Sequence, residues 1–113
     1  MRYLILLWGD AAGEAALSAD ERRQIVAEHM ELSRRLREDG KLVVGEPLEP
    51  RGKVIRGDLV TDGPFVETKE QLGGFYLVEV ASEEEALAIA REMPASPGLV
   101  AEIRRVPATA VND

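Results

Sequence analysis

The chain predicts an α+β fold: a ferredoxin-like β-α-β-β-α-β arrangement, with one antiparallel sheet and two helices on one face. Three observations point to it. Residues 3–8 and 75–80 are apolar almost throughout, as strands covered on both faces are. Two segments open on Ser-x-x-Glu, at 18–21 and 82–85, and continue with helical periodicity. The strand and helix signals also alternate in the order this fold requires, with the two most apolar strands in its central positions.

Each element follows from its residues. Residues 3–8 lack strict alternation and form the first strand; residues 10–16 are small and polar and are expected to be a loop or a frayed turn. Ser18 and Glu21 make a capping box, and Asp20 and Glu21 suit the positive end of the helix dipole. The helix runs to about Asp39, where Gly40 supplies a left-handed cap. At 100° per residue, Ile25, His29, Leu32 and Leu36 share its inner face, with Val26 and Ser33 at the edge. A strand begins at Leu42 and is interrupted by Pro47 and Pro50, which belong on a sheet edge where no ladder donor is needed. Residues 51–53 read as a turn, 54–61 as a returning strand, and Asp62-Gly63-Pro64 as a second turn. After the strand at 75–80, a second capping box at Ser82 and Glu85 opens a helix whose inner face is Ala86, Ile89, Ala90 and Met93, stopped by Pro94. Residues 99–106 form the last strand. One domain spans 1–106, and 107–113 is a tail.

Composition narrows the function classes. The chain has 113 residues and a net charge of −7. An acidic chain of this kind lacks the clustered Lys and Arg of a nucleic-acid groove or of a segment that adheres to anionic lipid. With no cysteine, disulfides, thiolate catalysis and Cys-based zinc sites are excluded, and one histidine argues against a transition-metal centre. No cofactor is expected. The apolar start ends at Trp8 with no small-x-small cleavage site, so it reads as a buried strand, and a cytoplasmic location is expected. No phosphate-binding glycine loop and no nucleophile elbow occurs.

Two helices cover one face of a sheet, yet the central strands are apolar on both. A homodimer packed through its sheet faces removes that exposed patch, with Glu79, Glu102 and Arg104 placed to line a space between the sheets.

The candidate site residues follow from chemistry and placement. His29 is the only side chain whose unperturbed pKa lies near neutrality, and it sits on the inner helix face. It reads as an acid/base, or more plainly as a core histidine bonded to backbone. Asp62 is a candidate orienter of His29, although Asp-Gly is ordinary turn chemistry. Trp8, at the end of the first strand, shares one end of the domain with the segment 62–74. Trp8, Phe65, Glu67, Lys69 and Tyr76 are therefore candidate ligand-binding residues, the plainer reading of Glu67 and Lys69 being a solvated pair.

The run Asp62-Gly63-Pro64-Phe65 followed by Glu67-Thr68-Lys69-Glu70-Gln71-Leu72-Gly73-Gly74-Phe75-Tyr76 resembles the signature of the DGPF branch of the YCII-related domain family. The resemblance extends to Arg2-Tyr3-Leu4, Gly45-Glu46-Pro47-Leu48 and the closing strand. It implies a ferredoxin-like fold assembled as a dimeric α+β barrel. Members are mostly uncharacterised small cytosolic proteins, many encoded beside extracytoplasmic-function sigma factors, which implies an association with such a factor. A His–Asp pair has been proposed for the broader family. His29, eleven residues before Gly40, matches its histidine, but Met93-Pro94 stands where the family has Asp-Pro, which leaves Asp62 as the acid to consider. Three readings follow: a small-molecule enzyme using His29, a non-catalytic ligand-binding or regulatory module, and a structural homodimer.

Overall fold

The structure is a computed structural model, and it describes residues 1–66 and 68–108. Glu67 and the tail beyond residue 108 lie outside the described residues. The fold is mixed α+β. Strands β1 (Arg2–Asp10), β2 (Leu42–Pro47), β5 (Glu70–Glu79) and β6 (Val100–Val106) form an antiparallel sheet in the order β2-β5-β1-β6. Helices α1 (Ala11–Ala15), α2 (Ala19–Glu38) and α3 (Glu83–Arg91) join them, and β3 (Lys53–Arg56) pairs with β4 (Leu59–Asp62) as a separate hairpin.

Alternation on the central strands sets the layers. Tyr3, Ile5 and Leu7 of β1 lie beside Val78, Tyr76 and Gly74 of β5, and this face is buried together with Leu32 and Leu36 of α2 and Ala86 and Ile89 of α3. Burying each such aliphatic side chain is worth roughly 1.5–3 kcal/mol. The opposite face carries Leu4, Leu6 and Trp8, paired with Leu77, Phe75 and Leu72, and no helix among the described residues covers it.

The caps hold where the residues call for them. Ser18 and Glu21 form the full capping box, each side chain accepting from the other's amide at 3.1 and 2.9 Å. The C-terminus of α2 closes with a Schellman motif: Lys41 N donates to Leu36 O, Gly40 N donates to Arg37 O, and Gly40 has a φ of 72°. At α3 the box is only half formed, because the Glu85 carboxylate accepts from Ala81 N and not from Ser82.

Three expectations about elements are corrected. Residues 11–15, expected as a loop or a frayed turn, form a short helix: Asp10 caps it by accepting from Gly13 N at 2.8 Å, a local hydrogen bond that composition alone does not show. The expected returning strand at 54–61 is a hairpin, turned by Gly57 with φ 61° at the first position of its two-residue loop. Strand β5 begins at Glu70, five residues earlier than the apolar run, and so takes in half of the glycine-rich signature. Gly73 is the extra residue of a β-bulge, since Leu7 pairs with Gly74 and Trp8 with Leu72. Pro47 ends β2 on the sheet edge, where its missing N–H breaks no ladder.

Candidate functional site

The site lies between α2 and the β5–β2 side of the sheet. On α2, positions 29, 33 and 37 follow one another at intervals of four and so stand in one row. Across from them, β5 presents Tyr76, whose ring is 5% exposed. Gly45 of β2 leaves room for that ring, since a Cβ there would stand 3.1 Å from Tyr76 Cδ2. His29 Nδ1 and Tyr76 Oη are 2.7 Å apart, and the two rings stack with centroids at 5.8 Å and planes at 24°. Ser33 Oγ donates to Tyr76 Oη at 3.4 Å, and the same hydroxyl approaches the His29 carbonyl at 3.5 Å.

A groove of about 420 Å³ opens beside this pair, walled by Leu7, Val26, Met30 and Pro47, with Ser33, Arg37 and Glu46 at its polar edge. A second lobe of about 340 Å³ continues past Trp8, Ile25, Glu14 and Arg22. His29 and the Gly73 bulge line both lobes, so the bulge sits where they meet. The size and mostly apolar lining are those of small-molecule sites.

Burial holds the His29 imidazole below its usual pKa, with the nearby Glu28 carboxylate opposing, so the ring is neutral at pH 7. Burial pushes the Tyr76 phenol up, against the bond from Ser33. Among the described residues His29 Nε2 has no hydrogen-bond partner. No buried side-chain nitrogen or oxygen lacks a partner either, so Nε2 is open to the groove.

The structure brings only some of the expected residues together. His29 and Tyr76 meet directly. Asp62 does not join them: it ends β4 with its side chain exposed and pairs with Lys53 across the hairpin. Phe65 is 70% exposed and lies against the Arg56 guanidinium, 5.4 Å from the ring centroid. Lys69 is exposed, and its carbonyl accepts from Ala11 N. Trp8 lines the second lobe and donates from Nε1 to Glu102 at 3.1 Å, and that bond holds the Glu102 carboxylate below its usual range. Glu67 lies outside the described residues. Glu79, Glu102 and Arg104, expected between two sheet faces, stand in register with Arg2, Leu6 and Leu4 on the face away from the groove; Glu79 pairs with Arg2 and the N-terminal amine, and Arg104 with Glu102. Sequence reasoning missed Arg37 and the Gly73 bulge. The row at 29, 33 and 37 and a glycine inside a strand were the available signals.

The described residues hold no cluster of three or more metal-ligating side chains and no helix long and apolar enough to cross a membrane. Among known families, the model of the YCII-related domain matches residues 1–108. The chain belongs to the YCII-related domain family. It is also 37% identical, over 99 residues, to an uncharacterised protein of Rhizobium meliloti (strain 1021), a match covering 82% of this chain and 80% of that one. In this member of the family the histidine on the long helix is partnered by a tyrosine hydroxyl from the central strand β5.

Proposed function

We propose that the groove is a small-molecule site in which His29, held by Tyr76, acts as an acid/base on an oxygen of the ligand. The observation that carries this reading is the 2.7 Å contact at Nδ1 with Nε2 left open to the groove. That length suits a hydroxyl donor better than an N–H donor. Tyr76 accordingly donates to Nδ1 while its oxygen accepts from Ser33, and the ring proton resides on Nε2, facing the ligand. Proton transfer then balances as a relay. The Nε2 proton passes to the ligand oxygen, the Tyr76 proton moves to Nδ1, and the phenolate is held by Nδ1–H and Ser33 Oγ–H. Because burial raises the Tyr76 phenol, the relay favours strongly basic oxygens, such as a developing enolate or alkoxide.

Long-range proton–nitrogen NMR of His29 tests this. The Nε2–H tautomer at pH 7 is expected, and an Nδ1–H tautomer, or an imidazolium, refutes the relay. A second reading, a non-catalytic ligand-binding module, is favoured by one observation. Among the described residues no carboxylate bonds His29.

We also propose that residues 1–106 form one ferredoxin-like domain, for which the order β2-β5-β1-β6 is the support. Its uncovered face, with Leu4, Leu6, Phe75 and Leu77, packs on the same face of a second copy as a dimeric barrel. Sedimentation equilibrium at micromolar concentration should give twice the 12.4 kDa chain mass; a monomer refutes the packing.

A further inference from the structure

We infer that the lobe beside Tyr76 selects an anionic ligand, a small carboxylate with an apolar body, and that Arg37 binds the carboxylate. This rests on the reading of the groove as a small-molecule site. Two arginines border the groove, and they differ in what they already hold. Arg22 Nη2 donates to the carbonyls of Glu14 and Ala15, at 2.8 and 3.3 Å, and so is engaged within the fold. Glu14, in the same lobe, accepts from Gln71 Nε2 at 3.0 Å. Arg37 lines the other lobe, and its guanidinium forms no hydrogen bond or ion pair among the described residues, whereas Arg34 and Arg35 on the same helix are both paired with glutamates. Glu46 borders this lobe too, yet makes no ion pair with Arg37.

Along α2 the lobe therefore presents a row of polar groups. Arg37 stands at one end and His29 at the other, with Ser33 and the Tyr76 hydroxyl between them. Positions eight residues apart on a helix are about 12 Å apart along its axis. Between the two ends the walls are Leu7, Val26, Met30 and Pro47, with Val26 and Met30 among the exposed large apolar side chains. A planar guanidinium that is not paired in the fold suits a carboxylate, which it can hold through two parallel hydrogen bonds. The apolar walls take the ligand's hydrocarbon, and His29 Nε2 meets a second oxygen at the far end. In a chain of net charge −7, an unpaired cation at the mouth of an apolar groove is also the local feature that draws an anion in.

Matched probes test the assignment: 3-phenylpropanoate, 4-phenylbutanoate and 4-methylpentanoate, each beside its carboxamide, titrated to millimolar concentration while backbone amide shifts are followed. The acids are expected to shift Ser33, Gly45 and Gly74 and to bind about tenfold more tightly than the amides, the worth of one charge-assisted pair. Arg37→Gln should bring the acids down to the amides' affinity without changing the amides, and Arg37→Lys should restore part of the difference. Position 37 is exposed, so both variants keep the fold. Equal binding of acids and amides, indifference of the acids to Arg37→Gln, or no shift by any acid overturns the carboxylate assignment. None of these results touches the His29 tautomer, on which the groove reading separately stands or falls.

Discussion

Replacing Tyr76 with Phe removes one oxygen and nothing else of size, so it isolates the bond on which the site reading depends. The ring is 5% exposed and packs in the core cluster, and Phe fills the same space, so no cavity term arises. The oxygen itself has a 2.7 Å contact to His29 Nδ1 and a 3.4 Å bond from Ser33. Its loss leaves a half-buried ring nitrogen without a partner, while Ser33, weakly held at 3.4 Å, can turn to water. One lost hydrogen bond plus partial desolvation of the stranded acceptor comes to about 1–2 kcal/mol. For a chain of this length that lowers the melting temperature by about 4–8 °C. Differential scanning calorimetry at pH 7.5 reads the shift, and His29 proton–nitrogen correlations read the tautomer in the same samples. Ser33→Ala is the control and should cost less than half as much. A Tyr76→Phe protein melting within about 1 °C of the parent, with the His29 tautomer unchanged, would refute the claim that the hydroxyl orients the imidazole.

Two further outcomes follow from the same structure. Burial holds the His29 pKa below the unfolded value of 6.5. The unfolded chain therefore takes up that proton first, and stability is full above pH 6.5 and falls as the pH drops from there through the folded value. The glutamates held low by their partners, Glu79 and Glu85 among them, lose their contribution only below the ordinary carboxylate value of 4.5. Urea titrations should thus show stability falling as the pH drops below the unfolded histidine value, while still above the carboxylate range, a slope that His29→Gln flattens, and a slope unchanged in that variant would count against a shifted His29. Phe65→Ala should cost at most about 1 kcal/mol, the worth of an exposed cation–π contact with Arg56; a loss of several kcal/mol by the same titration would mean that the ring is buried in solution.

Much of the sheet and both long helices were legible in the sequence, because their signals are redundant. In α2 the apolar row, the capping box and Gly40 agree on phase and on both ends. The hairpin and α1 were not legible. Each depends on one local bond or one left-handed glycine, and residues 54–61 suit one strand as well as two short ones. Phe65, expected among the ligand-binding residues, stays exposed because the hairpin before it pairs only with itself in a separate sheet. At the site, His29 was visible from its place on the helix. Its partner was not, because register decides which residue of β5 faces it, and the bulge at Gly73 shifts that register by one.

That bulge links the glycine-rich signature to the site. Without the extra residue, an unbroken β5 would put residue 73 opposite Trp8, and the sequence beyond it would face the other way, since each one-residue slip exchanges the two faces. With it, Gly74 stays opposite Leu7 under the groove, and Leu72 rather than Gly73 pairs with Trp8. Gly74 also allows a close approach, because a Cβ there would stand 3.1 Å from Glu46 O, tighter than an ordinary contact. A side chain there would press β2 away from β5 by a few tenths of an ångström beside Pro47. The three glycines at 45, 73 and 74 thus act on one object. They seat the Tyr76 ring, place the bulge where the two lobes join, and bring β2 close enough to wall the groove. A signature that maintained only the Asp62–Pro64 turn would have no use for them, because that turn belongs to a hairpin that lines neither lobe. The glycine-rich half of the motif serves the groove, and the Asp-Gly-Pro-Phe half serves the arm outside it.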